Sequence, residues 1–203
     1  MSKFQKTVTL AMTGASGAQY GLRLLECLVQ AGVQVYFLIS EAAHVVIEAE
    51  TDISLPRNED ELEEYLIENF DAEPGQICVY GKRDWFSPVA SGSASPTSTV
   101  ICPASGGTIS SVASGASNNL IERAADVAIK ERRQLIMVPR EMPLSEIHLE
   151  NMHKLARMGV TIMPACPGFY QRPQTVEEII DFVVARILDH LGVEQRLLSR
   201  WGE

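Results

Sequence analysis

Cysteine is scarce and wrongly spaced for either of its structural uses. Cys27, Cys78, Cys102 and Cys166 stand far apart with no C-x-x-C pair, which fits neither a zinc site nor a disulfide framework and points to reduced, mostly buried thiols. No Lys/Arg run exceeds two residues, and 26 acidic against 17 basic side chains leave a formal charge of −9 with a pI near 5.0. A nucleic-acid surface requires a basic face, so that class is set aside, and any anion bound here must meet a local group of cations. No window approaches the roughly 18 consecutive apolar residues of a membrane span. Only Met1 to Lys6 precede the first apolar run, itself too short for a signal-peptide core, so the expected location is the cytoplasm. A P-loop is missing, as is the Tyr-x-x-x-Lys pair of a short-chain reductase. Tyr20, Tyr36, Tyr65, Tyr80 and Tyr170 are followed four residues on by Leu24, Ser40, Asn69, Asp84 and Gln174.

The 203 residues, 46% hydrophobic and 21% charged, match one ordinary globular domain, residues 1–203. Its organising stretch is Val8-Thr-Leu-Ala-Met-Thr-Gly-Ala-Ser-Gly-Ala-Gln-Tyr-Gly21, which reads as strand, glycine turn and helix start. Gly14 and Gly17 permit a tight turn and close approach to a ligand, and the helix that follows offers N–H groups to an anion. The spacing is G-x-x-G, not the dinucleotide G-x-G-x-x-G. Tyr20, Leu24, Leu25, Leu28 and Val29 then recur at helical spacing up to Gly32, and 33–39 is a β-rich run, completing a βαβ unit. Helices are expected at 41–50, 59–69, 120–133 and 145–158, and strands at 77–80, 99–102, 134–138 and 160–163. Residues 87–99 fit neither regular element, and 103–110 repeat the strand, Gly/Ser turn and helix start. A capping box, Thr175-x-x-Glu178, opens the last helix. The predicted fold is α/β: a doubly wound parallel sheet in three αβα layers, with ligands beyond the carboxyl ends of the strands.

At those ends stand Ser16, Ser40, Ser105 to Thr108, Arg140-Glu141 and Tyr170. Ser40 replaces the acid that takes a ribose in dinucleotide folds, although Glu41 is adjacent, and a hydroxyl suits a flavin mononucleotide equally well. Arg123 and Lys130, seven residues apart, share a helix face, and Arg186 borders the apolar face of the last helix. Arg123, Lys130, Arg140 and Arg186 with a tyrosine and a glutamate near a flavin-sized crevice would suit a reaction that expels phosphate.

Six motifs then carry a resemblance: Thr13-Gly-Ala-Ser-Gly-Ala18, Ala90-Ser-Gly-Ser93, Asn118 to Asp126 with Lys130, Val138-Pro-Arg-Glu141, His148-Leu-Glu-Asn-Met152 and Pro167-Gly-Phe-Tyr170. Spread from residue 8 to the Arg200-Trp-Gly202 tail, they resemble the UbiX-type flavin prenyltransferases, which make prenylated FMN for decarboxylases in ubiquinone biosynthesis. The family often writes Cys-Pro-Cys-Ser-x-Gly-Thr where this chain has Cys102-Pro-Ala-Ser-Gly-Gly-Thr108. The resemblance implies FMN held by Gly14, Ala15, Ser16, Ser40, Ser105, Gly106, Gly107, Thr108 and Arg140. It also implies dimethylallyl phosphate held by Lys130, Arg140, Tyr170 and Arg186, with Arg123, Glu141 and Glu50 close by. Ser16, Glu50, Arg123, Lys130, Glu141 and Tyr170 are then the catalytic candidates, with Glu141 and Ser16 moving protons. Trp85 and Trp201 would face an allylic cation. Reduced FMN would be alkylated at N5 and then C6 without metal, the cations replacing magnesium. A homo-oligomer is implied, a dodecamer by expectation, with the tail of about 192–203 on a neighbouring subunit and a UbiD-type decarboxylase receiving the product. The competing readings are a flavin-dependent cysteine decarboxylase, a dinucleotide oxidoreductase and an FMN-binding module.

Overall fold

The computed structural model describes residues 3–198. β1 (Thr7–Met12) is buried from Val8 onward on both faces, as a strand in the middle of a parallel sheet must be. Gly17, at φ 105°, turns the chain into α1 (Ala18–Gln30), and β2 (Gln34–Ile39) returns parallel to β1 with Leu10 opposite Phe37. α2 (Glu41–Glu50) and α3 (Glu59–Asn69) lead to the edge strand β3 (Ile77–Val79). A connection containing one 3-10 turn (Pro88–Ala90) then crosses to β4 (Ser98–Ala104), which pairs with the other side of β1. α4 (Gly106–Ser114), α5 (Leu120–Lys130), β5 (Gln134–Pro139), α6 (Glu146–Arg157), β6 (Thr161–Ile162) and α7 (Val176–Leu191) complete the chain.

The six strands are parallel and run in the order β3-β2-β1-β4-β5-β6. Strand order reverses between β1 and β4, so the turns leaving their carboxyl ends diverge and open a crevice. One face of the sheet, with Leu10, Met12 and Phe37, packs on Leu24, Leu25 and Leu28 of α1 and Val184, Ile187 and Leu188 of α7. The other face, with Ala11, Leu38, Ile101 and Met137, packs on Ile109 and Val112 of α4, Ala124 and Ala125 of α5, and Leu155 of α6. This is the three-layer, doubly wound sheet the sequence predicts.

Local departures from the sequence reading have local causes. The helix expected to reach 133 stops at Lys130, because Arg132 adopts a left-handed φ of 54°. Thr175 caps α7 by accepting from the Glu178 amide, but the Glu178 carboxylate turns back to the amide of Gln174, so the reciprocal half of the box is displaced by one residue. A complete box forms instead at Ser145 and His148, where an imidazole nitrogen takes the part of the usual carboxylate. The segment 87–99 contains the 3-10 turn and the first residues of β4, and the strand expected at 160–163 contracts to two residues.

Candidate active site

The turns after β1 and β4 are joined by one buried hydroxyl. Thr13 Oγ1 donates to the Pro103 carbonyl at 2.8 Å and accepts the Ser105 amide at 2.8 Å, while the Thr13 amide also donates to Pro103. Ser105 in turn caps α4, accepting the Thr108 amide. Thr13 was missed as a site residue in the sequence reading, although a threonine at the tip of a central strand beside a second glycine turn is the signal that could have found it.

Packing also demands glycine in and just after the first turn. A Cβ at Gly14 would sit 2.4 Å from that of Ala42, and one at Gly21 would meet the Cys102 carbonyl at 2.5 Å, so these two positions let α2 and α1 close on the turn and on β4. The amino end of α1 is not free for an anion. Glu50 Oε2 accepts from the amides of Gly17 (2.8 Å) and Ala18 (3.0 Å), and Arg140 Nε donates to the Ser16 carbonyl at 3.1 Å. Burial is the largest influence on the Glu50 carboxyl and raises its pKa. The Ser16 hydroxyl, the two amides and the Arg140 charge together outweigh it and hold the group below the usual carboxylate range. Ser16, Glu50 and Arg140 are thus one polar cluster.

Room for a ligand opens beside it. A cavity of about 240 Å³ is lined by Thr13, Ser40, Thr108, Asn119 and Glu122, with Tyr80 and Lys82 from the loop after β3. Ser40, Ser105 and Asn119 are the caps of α2, α4 and α5, so three helix amino ends meet there and turn their positive poles inward. The Lys82 carbonyl accepts the Leu120 amide at 3.0 Å, which fastens the lysine's loop to α5. Lys82 and Tyr80 leave no signal in the sequence, because an irregular loop has no periodic pattern, and Asn119 shows there only as part of the Asn118 to Asp126 motif. At the other end, a Cβ on Gly107 would have only Ser105 Oγ within 4 Å, leaving that backbone open to approach. Glu141, exposed, has Oε1 on the Met142 amide, and its Oε2 and the His148 Nε2 both border Gly106.

Lys130 and Arg186 do not join this crevice within one chain, contrary to the convergence expected, whereas Arg123 directly follows the cavity-lining Glu122 without lining the cavity itself. Helices after a strand run back toward its amino end, and α5 closes only three residues before β5 begins, which places Lys130 at the opposite edge of the sheet. There Lys130 pairs with Glu131 at 2.5 Å, while Arg123 pairs with Asp126 at 2.8 Å and donates to the Ala90 carbonyl. Arg186 lies near the far end of α7, whose last carbonyl, of Leu191, is taken by Lys6 just before β1. It pairs with Asp189 at 2.6 Å in a groove of about 850 Å³ that also includes Tyr170, so these two predicted phosphate ligands share a surface separate from the crevice. Trp85 is half exposed on the loop after β3, next to a fully exposed Phe86, and Trp201 lies outside the described residues. Among the described residues no three His, Cys, Asp or Glu side chains cluster as metal ligands, and no helix is long and apolar enough to cross a membrane.

Comparison with known proteins agrees with this fold. The flavoprotein family model matches residues 1–188. The flavin prenyltransferase UbiX of Pseudomonas aeruginosa is 61% identical over 196 residues, 97% of this chain and 94% of that protein. The crystal structure of AnUbiX (PadA1) in complex with FMN and dimethylallyl pyrophosphate superposes with a TM-score of 0.86 at 35% identity, covering 98% of both chains. A dodecameric FMN-dependent UbiX-like decarboxylase from Escherichia coli O157:H7 gives a TM-score of 0.84 at 37% identity, over 97% of this chain and 99% of that one. With that likeness running the length of the chain, the protein belongs to the flavoprotein family as a UbiX-type member.

Proposed function

We propose that this protein is a flavin prenyltransferase that moves a dimethylallyl group from dimethylallyl phosphate to N5 and C6 of reduced FMN, without a metal. The observation that carries the reading is the 61% identity to a flavin prenyltransferase over almost the whole chain. Two features of the geometry favour it over a simple flavin carrier: a crevice with hydroxyls and helix amino ends for a flavin phosphate, and a second groove in which Arg186 and Tyr170 meet.

The residues present fit FMN. The cavity under Ser40, Thr108 and Lys82 offers hydroxyl and ammonium donors, and the open backbone at Gly107 leaves space for a flat ring between the two turns. Bound and reduced, FMN supplies the nucleophilic N5 and C6 for the new carbon bonds. Arg140, which donates to the Ser16 carbonyl, would supply a positive charge to bound FMN, and the Glu50 carboxylate keeps the Ser16 hydroxyl oriented. Glu141 would serve as acid or base toward FMN and Ser16 as its partner toward the phosphate. Arg123, Lys130, Tyr170 and Arg186 stabilise the departing phosphate, with Trp85 and Trp201 facing the allylic fragment.

Because Lys130 and Arg186 lie away from the crevice of their own chain, the complete site draws on neighbouring copies in a homo-oligomer, a dodecamer as in the relative from Escherichia coli. Val193 and Leu197 pack on this chain's own core, so within the tail of about 192–203 these two side chains are already taken up by their own chain. The protein acts as a single domain in the cytoplasm, consistent with its four free thiols, and passes its product to a UbiD-type decarboxylase. Anaerobic incubation with FMN, a reductant and dimethylallyl phosphate should raise the flavin mass by one C5 unit, with the diphosphate run in parallel to rank the donors. An unchanged flavin with either donor overturns the reading. A cysteinyl peptide offered to the same preparation should release no carbon dioxide.

A further inference from the structure

Tyr170 sits in a turn-dense segment between β6 and α7, outside any helix or strand. Its ring is nevertheless held. Phe182 of α7 meets it nearly edge-on, with centroids 5.5 Å apart and planes at 77°, an arrangement that favours aromatic pairs beyond their buried area. Gly168 makes this contact possible, since a Cβ there would lie 2.9 Å from both Phe182 Cζ and Tyr170 Cε1. Phe182 is itself anchored, packing on the core layer between the sheet, α1 and α7. Four residues further along α7 stands Arg186, which shares the groove of about 850 Å³ with Tyr170. Residues four apart lie on one helix face, so the prop under the tyrosine and the arginine rise from the same surface of one rigid element.

We propose that Phe182 is a positioning residue for Tyr170, with Gly168 as the spacer that lets the two rings meet. Together they set the phenol at a fixed distance from the Arg186 guanidinium, so both address one phosphate of the prenyl donor. This role rests on the assignment of Tyr170 and Arg186 to that phosphate. It predicts an effect on donor binding and none on the flavin, because the groove and the flavin crevice have no lining residue in common.

The test compares variants of the full-length protein in the prenylation assay. Phe182→Leu should bind FMN as the native protein does but raise the KM for dimethylallyl phosphate about fivefold with kcat within about twofold, the factor equivalent to losing an edge-on aromatic pair. Phe182→Tyr should restore the native KM, and Gly168→Ala should raise it with Phe182 intact. In a Tyr170→Ala background, Phe182→Leu should add nothing, which a merely structural phenylalanine would not satisfy. An unchanged KM in Phe182→Leu, or an equal penalty with and without Tyr170, overturns the role. A native protein that prenylates no FMN overturns the underlying assignment and this role with it, and that outcome is seen before any variant is made.

Discussion

Glu50, the last residue of α2, accepts the amide hydrogen of Gly17 at 2.8 Å, so the amino end of α1 carries a negative partner of its own. An external phosphate would have to displace a carboxylate that Ser16, Ala18 and Arg140 also favour. Among the described residues, the amino ends of α2, α4 and α5 across the crevice carry no such carboxylate partner in their caps.

That clamp has a pH signature. The Glu50 carboxyl titrates below its unfolded value, so in that window the native state binds fewer protons than the unfolded chain. The stability it contributes is complete above the unfolded value and is lost as pH falls through the native one. Glu50→Gln should lower stability at neutral pH by about 1 kcal/mol, the scale of a helix-end charge or cap. Urea denaturation at a series of pH values should show the gap closing in acid. A gap of constant size down to strongly acidic pH would contradict the assignment.

Thr13 offers a sharper stability test. Its hydroxyl serves both the Pro103 carbonyl and the Ser105 amide while almost fully buried. Thr13→Val keeps the shape but removes both bonds and should cost about 2 kcal/mol, as expected for polar groups buried without partners. FMN affinity should fall as well, because the second turn loses its tie to the first. Thr13→Ser should recover both quantities in denaturation and flavin titration, and a valine variant as stable as the native protein would exclude the tie.

Lys82 separates the phosphate from the ring. Its place on the cavity beside Ser40 and Thr108 predicts that Lys82→Met weakens FMN about fivefold to tenfold, the scale of one partly solvated charge-assisted bond. Riboflavin, lacking the phosphate, should bind both proteins alike. Equal losses for the two ligands in flavin fluorescence titrations would place the lysine elsewhere.

The layout of the fold was legible because burial writes itself into periodicity. The apolar runs at β1 and β2 and the heptad-like face of α1 name their elements, and the two glycine turns mark the switch point. The identities of Ser16, Ser40 and Arg140 at the strand tips followed from that topology. What misled was treating a shared helix face as a shared location. Arg123 and Lys130 do share a face, but Lys130 stands four residues before the start of β5, and a residue so close ahead of a strand must lie at the amino edge of the sheet. The roles of Thr13, Lys82 and Asn119 stayed hidden because they come from hydrogen bonds and loop placement, which leave no hydrophobic pattern. The packing demand on glycine also left no pattern, since at Gly14 and Gly21 it is a neighbouring helix or carbonyl that excludes the side chain.

The separation of Lys130 from Glu141 also yields a test of shared sites. If the cations at the far end of α5 complete the crevice of another copy, a site needs Glu141 from one chain and Lys130 from its neighbour. Glu141→Gln should retain FMN and slow prenylation by roughly 100-fold or more, the usual contribution of a positioned acid or base. Lys130→Ala should be comparably impaired through loss of phosphate stabilisation. Mixed oligomers of the two single variants contain some sites in which the intact Glu141 of one chain meets the intact Lys130 of the other, so part of the native activity should return. Oligomers built from the double variant and native chains, at the same ratio, provide the control in which both defects travel together. If each site were formed within a single chain, mixing the single variants would restore nothing, because every chain would carry one defect in its own site.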